Sequence, residues 1–290
     1  MTAQILDGAA IARQVISALK QEVTTLKSKG IMAGLAAVQV GDNPASRIYL
    51  RNKAKSCADA GIHSEIHQLD ANIAESDVLQ LIVRLNNSPN IHGIIVQLPL
   101  PKHFDAGRIL QSIAVEKDVD GFNWRNLGAL VDKQPELVPC TPLGVMALLD
   151  HTHLPVEGRN AVVIGRSGIV GMPAALLLIA RGATVTVCNS KTVDLPRFTS
   201  QADILVAAAG RPRMITADMV KPGAVVIDVG ITRMPDGKIA GDVDFEGVKE
   251  VASWLTPVPG GVGPMTVAML IANTVKAAER STSRNKRKGD

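Results

Sequence analysis

Short apolar, β-branched runs alternate with stretches of helical period along the whole of this 290-residue chain. Leu35-Ala36-Ala37-Val38-Gln39-Val40 reads as a buried strand. Asn43-Pro44 follows, a capping residue before a proline at the first helical position, and the helix they open is expected to stop at Gly61. Ser64 to Leu69 predicts a second strand, Ser76 to Asn86 a helix and Gly93 to Leu98 a third strand, with a helix over Ala9 to about Lys27 preceding them all. The second half repeats this grammar. Strands are expected at Asn160–Ile164, Thr184–Val187, Asp203–Ala207 and Ala224–Val229, with helices at Val170–Ala180 and Pro264–Glu279. Alternation of this kind builds βαβ units, and nearly all-apolar strands fit parallel sheets covered on both faces. The expected fold class is α/β: two three-layer domains with mostly parallel sheets, the second of Rossmann type. The polar, proline-bearing stretch between Asn126 and Pro142 carries the boundary. Residues 1–140 then form one domain, with the last helix, 265–280, packing back on it, and 141–264 form the other. The polar end, 281–290, is expected to be a disordered tail.

Composition narrows the function. Apolar residues make up 46% of the chain, so core burial is not limiting. No apolar run reaches the roughly 18–20 residues of a membrane span, and the first residues show no signal-peptide pattern. Cys57, Cys140 and Cys188 are scattered and odd in number, which suits a reducing cytoplasm better than a disulfide framework. Neither they nor the six histidines show metal-ligand spacing, and no metal is expected. Much of the net charge of +4 sits in the tail, at Arg280, Arg284, Lys286, Arg287 and Lys288. A solubilising end explains it better than nucleic-acid binding, and with a single tyrosine the chain has few stacking platforms for bases. The expected partners therefore include neither nucleic acid nor membrane.

One turn changes the picture. The strand ending at Ile164 runs into Gly165-Arg166-Ser167-Gly168-Ile169-Val170-Gly171 and then a helix. Glycine permits a tight turn, and N–H groups at a helix start can hold a pyrophosphate. The pattern departs from G-x-G-x-x-G, because Ser167 takes the second glycine's place and Gly171 falls one place late. About twenty positions on, where NAD-selective folds place a carboxylate for the ribose 2′-OH, stand Cys188-Asn189-Ser190-Lys191-Thr192. Ser190, Lys191 and Arg166 suit a 2′-phosphate, so NADP is favoured over NAD.

In the first half, Tyr49 and Lys53 are four apart on one helix face, at the strand edge where open α/β sheets bind ligands. Gln97 lies near the carboxyl end of the third strand, and Lys117-Asp118-Val119-Asp120-Gly121-Phe122 supplies carboxylates in a turn. Each residue has a plain alternative: an amphipathic pair, a satisfied strand end, a turn former. Together they offer a phenol, an amine, an amide and an acid to one crevice, and such a lysine can handle protons. Thr256-Pro257-Val258-Pro259-Gly260-Gly261-Val262-Gly263-Pro264 is either a rigid connecting loop or a wall between cofactor and substrate.

These residues resemble those of the bifunctional methylenetetrahydrofolate dehydrogenase/methenyltetrahydrofolate cyclohydrolase family. The resemblance runs from about Ile5 to Glu279. Its most specific pieces are Val40 to Ser46 leading to Tyr49 and Lys53, Val96 to Pro101, Lys117 to Phe122, Pro139 to Pro142, Val163 to Ser167, and Pro257 to Met265. The resemblance implies oxidation of 5,10-methylenetetrahydrofolate with NADP, then hydrolysis of the methenyl product to 10-formyltetrahydrofolate. It implies that Lys53 is the central catalytic group, that Gln97 and Asp120 tune it and hold the pterin, and that Tyr49 stacks on the folate. Gly165, Arg166, Ser167, Ser190 and Ile231 would touch NADP, and Pro257 and Gly261 the folate side. It further implies a cytoplasmic homodimer, joined through its cofactor domains, that serves purine biosynthesis. One departure stands out: many members have histidine where this chain has Asn189. A dehydrogenase of another small acid and a non-catalytic nucleotide sensor are the alternatives, and neither accounts for the Tyr49, Lys53, Gln97 and Asp120 set.

Overall fold

The alternation of strand and helix read from the pattern is the architecture of the computed structural model, which describes residues 2–287. In chain order the elements are β1 (Gln4–Ile5), α1 (Gly8–Ser28), β2 (Gly34–Val40), α2 (Pro44–Ala60), β3 (His63–Leu69), α3 (Glu75–Asn87), β4 (Gly93–Val96), α4 (Ala106–Gln111), α5 (Trp124–Val131), α6 (Cys140–His151), β5 (Asn160–Ile164), α7 (Gly171–Ala180), β6 (Thr184–Cys188), α8 (Leu195–Thr199), β7 (Ile204–Ala207), β8 (Val225–Asp228), β9 (Thr232–Arg233), β10 (Ile239–Ala240), α9 (Phe245–Lys249), β11 (Trp254–Leu255) and α10 (Val262–Arg287). They form two α/β units, one of residues 14–140 with 267 onward, the other of 1–13 with 141–266. No helix among the described residues is long and apolar enough to cross a membrane.

The unit of 14–140 is built on a three-stranded parallel sheet of order β3-β2-β4. Every position of β2 is buried, as a central strand covered on both faces requires. On one face Ala36, Val38 and Val40 pack with Ile82 and Leu85 of α3 and Ile109 of α4. Full burial of side chains such as Ile82 contributes about 1.5–3 kcal/mol each. Helix α2 begins where Asn43 Oδ1 accepts from Ser46 N at 3.2 Å, and it ends before Gly61, whose φ of +80° is the glycine stop expected. Lys117 Nζ donates to the carbonyls of Leu85 (3.1 Å) and Ser88 (2.7 Å), closing the end of α3. Strand β4 stops at Val96 rather than Leu98: Pro99 follows, and a proline offers no N–H to a ladder.

The other unit carries a six-stranded sheet of order β1-β11-β8-β7-β5-β6, parallel throughout. Strand β5 lies between β6 and β7, so the sheet changes its direction of growth there. Such a switch point opens a crevice outside the carboxyl ends of the strands. The expected assignment of residues 1–140 to one domain needs correction at its start. Gln4 and Ile5 pair with Trp254 and Leu255, and Ala3 N donates to Lys249 O at 2.7 Å. A two-residue strand has no period to read, and its partner stands near the opposite end of the chain. The last helix continues to Arg287, past position 281 where a disordered tail was expected to begin; residues 288–290 of that tail lie outside the described residues.

Candidate functional site

Helix α2 leaves the carboxyl edge of β2 and carries Tyr49 and Lys53 one turn apart. Lys53 is only 7% exposed, and its Nζ lies 4.5 Å from the centre of the Tyr49 ring. A desolvated ammonium over an aromatic face gains roughly 2 kcal/mol, which offsets part of the cost of burying it. Asp120 is the acid of this cluster. Burial pushes its carboxyl up, the Lys53 charge pulls it down and Asp118 pushes it up again. Burial also pushes the Tyr49 phenol well up, with smaller pushes from Asp120 and Cys140. The Cys140 thiol rises well above its usual value, first through burial and then through Asp120, against the pull of Lys53. Cys57, one turn beyond Lys53 on α2, is pushed up to about 11 by burial, with Lys53 opposing. Both thiols therefore stay protonated at neutral pH and are poor nucleophiles.

Backbone packing aims Asp120. Gly121, at φ +75°, lies so close to Val138 and Pro139 that any Cβ there would strike their backbone. Cys140 Sγ donates to Val119 O at 3.1 Å. Asn273 Nδ2, from α10, donates to the carbonyls of Val119 and Val138, each at 2.8 Å. Asp118 anchors the turn instead, since its Oδ2 accepts from Asn123 N (2.7 Å) and Asn126 Nδ2 (2.9 Å). Gln97 follows β4 at the same sheet edge, with its N bonded to Val38 O at 2.8 Å and its Nε2 to Leu98 O at 2.8 Å. Its Oε1 is buried with no partner among the described residues. Such an orphan acceptor costs about 1–3 kcal/mol until a donor reaches it, which is what a ligand N–H would supply. Tyr49, Lys53 and Asp120 thus come together by contact and charge, and Gln97 shares their sheet edge.

Pro257 and Gly261 belong to the other unit, where Gly261 N donates to Pro257 O at 2.9 Å. The glycines here have a packing reason. A Cβ on Gly261 would meet Pro257 O, and one on Gly8 would meet Gly261 O.

In that unit a crevice of about 270 Å³ opens at the switch point, lined by Gly165, Arg166, Ser167, Asn189, Ser190 and Arg211 among others. Gly165 has φ +122°, and a Cβ there would strike Ala208 O; a Cβ on Gly171 would strike Gly165 O. Only glycine lets these chain segments cross so closely. The Ser167 hydroxyl accepts from Val170 N (3.2 Å) and Gly171 N (3.3 Å), so it ties the turn to the start of α7. Asn189 also shapes the backbone: its Oδ1 accepts from Lys191 N at 3.0 Å, and its N donates to Thr192 Oγ1 at 2.9 Å. That leaves Ser190 and Lys191 exposed, with no carboxylate between Cys188 and Thr192. A close-approach glycine turn, an exposed guanidinium, a hydroxyl and an ammonium fit a dinucleotide bearing a 2′-phosphate. Ile231 stands apart from this lining, 65% exposed beyond β8. The sequence reading missed Cys140, Asn273, Arg211 and a pair of buried aspartates, Asp228 and Asp242, because each meets its partners only through the fold.

The family model described as tetrahydrofolate dehydrogenase/cyclohydrolase, catalytic domain, matches residues 6–120, and that for the NAD(P)-binding domain of the same enzymes matches residues 139–282. The chain is 57% identical over 284 residues to the bifunctional protein FolD of Nitrosospira multiformis, covering 98% of this chain and 99% of that one. Among solved structures it superposes on the bifunctional FolD methylenetetrahydrofolate dehydrogenase/cyclohydrolase of Campylobacter jejuni with a TM-score of 0.94 and 50% identity, covering 96% of this chain and 99% of the other. The N5,N10-methylenetetrahydrofolate dehydrogenase-cyclohydrolase (FolD) of Trypanosoma brucei, complexed with NADP cofactor and an inhibitor, gives 0.93 at 38% identity, covering 97% and 99%.

Proposed function

The chain belongs to the tetrahydrofolate dehydrogenase/cyclohydrolase family, and on that premise we propose how its residues divide two reactions between them. It is a bifunctional enzyme that oxidises 5,10-methylenetetrahydrofolate with NADP and hydrolyses the product. In the first step the methylene carbon gives up a hydride and becomes the methenyl cation; in the second, water adds to that carbon, the ring opens to 10-formyltetrahydrofolate and one proton is released. NADP, when bound, supplies the hydride acceptor. Gly165, Arg166, Ser167 and Ser190 would hold it, Arg166 and Ser190 would suit its 2′-phosphate, and Ile231 would be a further contact.

Lys53 is the central group of the hydrolysis: its ammonium donates a hydrogen bond that positions the attacking water, and the proton that water loses passes to solvent. Tyr49 screens its ammonium on one side and stacks on the folate. Asp120 balances its charge, and Gln97 Oε1 takes an N–H of the pterin. Pro257 and Gly261 are further candidates for contact with the folate. In this division the unit of 14–140 with the end of α10 carries the folate chemistry, and the unit of 141–266 carries the cofactor. A cytoplasmic homodimer joined through its cofactor units, feeding purine biosynthesis, is the wider setting.

The observation that carries this reading is the buried Lys53 Nζ against the Tyr49 ring, in the segment matched by the family's catalytic domain. The test is paired spectrophotometry: NADPH formation from methylenetetrahydrofolate, and loss of methenyltetrahydrofolate. Lys53→Met should lower hydrolysis by about 10²–10⁴-fold with circular dichroism unchanged. A variant hydrolysing at the parent rate, or a parent forming no NADPH, sinks the reading.

A further inference from the structure

Two buried carboxylates stand one behind the other beneath the cofactor crevice. Asp242 is fully buried. Its Oδ2 accepts from Ala209 N (2.6 Å) and Gly210 N (2.9 Å), and its Oδ1 from Arg211 N (2.8 Å). Asp228 is 4% exposed at the end of β8. Its Oδ1 accepts from Gly230 N and Asp242 N, and its Oδ2 from Val243 N, all at 2.9 Å. Its own N donates to Thr256 Oγ1 at 2.7 Å. Two glycines make room: a Cβ on Gly230 would strike the Asp242 carboxyl, and one on Gly241 would strike Asp228 Oδ2.

Placing two acids side by side in the interior is costly. The fold accepts that cost where their oxygens gather N–H groups that no sheet or helix uses. The three N–H groups on Asp242 come from consecutive residues just beyond β7. Ala209 and Arg211 of that segment line the crevice with Arg166 and Ser190, and Ala208 beside it is the residue the Gly165 turn crosses.

We propose that Asp242, seated on Asp228, is a positioning residue for the cofactor: it fixes the Ala209–Arg211 backbone as a wall of the crevice and so sets the affinity for NADP. Asp242 acts through this loop, and the Lys53 chemistry does not depend on it. The inference rests on the reading that this crevice takes NADP.

Asp242→Asn keeps the size of the side chain but replaces an acceptor oxygen with an amide that cannot accept. The expected result is a rise of tenfold or more in both the Kd and the KM for NADP. The KM for methylenetetrahydrofolate and the rate of methenyltetrahydrofolate hydrolysis, which needs no hydride acceptor, should stay within twofold. Asp242→Glu, which restores the carboxylate, should recover part of the NADP affinity. An unchanged NADP affinity, or a parallel fall in both activities, overturns the proposal. Should the asparagine variant not fold, the glutamate variant decides: a threefold or larger rise in NADP KM with hydrolysis kept supports the proposal, and an unchanged KM overturns it. Arg166→Ala is measured alongside. Unchanged NADP affinity in that variant would mean that the crevice reading has failed, whereas weakened binding there with no effect at Asp242 would count against Asp242 alone.

Discussion

Asp228 keeps a carboxyl out of water, and burial pushes it up to about 6, helped by the neighbouring Asp242 and opposed by the N–H groups of Val243, Asp242 and Gly230. In the unfolded chain an aspartate titrates near 3.9. The folded state therefore binds this proton more tightly, and the stability it brings is full below about pH 4 and lost as the pH rises through about 6. Between pH 5 and 7.5 this one group should cost the parent about 1 kcal/mol. Urea titrations of the parent and Asp228→Asn at both values measure it; the variant should lose that part of the pH slope, and identical slopes would refute the assignment. At this scale the sequence shows side chains close along the chain. Tyr49 and Lys53 were legible because helical spacing alone puts them on one face. Asp242 and Cys140 were not, since nothing near them in sequence hints at the N–H groups or charges they meet.

Helix α10 shows what an element adds. Its Asn273 reaches the carbonyls of Val119 and Val138, the segments flanking Asp120. Asn273→Ala leaves both buried oxygens without that donor, so stability should fall by about 1–3 kcal/mol. The turn bearing Asp120 would loosen with it, and hydrolysis should slow by about tenfold while NADP affinity holds. Urea unfolding and the two activity assays check this, and a stability loss with hydrolysis at the parent rate would leave Asn273 a purely structural role. The longer elements were readable for a physical reason: β2 and β5 are apolar runs because parallel strands are covered on both faces. β1 and β11, two residues each, exist only through their pairing.

For the whole molecule, the cofactor couples local chemistry to stability. A ligand that binds only the native crevice at a hundred times its Kd stabilises it by about 2.7 kcal/mol. NADP should therefore raise the thermal transition of the unit of 141–266, and NAD at the same concentration should raise it less. Arg166→Ala should bring the NADP shift close to that of NAD. Calorimetry with both dinucleotides tests this, and equal shifts in the parent would contradict recognition of the 2′-phosphate by Arg166 and Ser190.

The α/β class, the glycine turn at Gly165-Arg166-Ser167 and the Tyr49–Lys53 pair were determined by the sequence alone, because periodicity and short spacing are properties of neighbouring residues. Tertiary structure alone decided that Gln4 and Ile5 complete the sheet of the cofactor unit, that Asn273 braces the turn of Asp120, and that Asp242 underlies the crevice wall. Each of these joins residues far apart in sequence through hydrogen bonds to backbone groups. The need to satisfy buried N–H and C=O groups, rather than any local pattern, selects the partner.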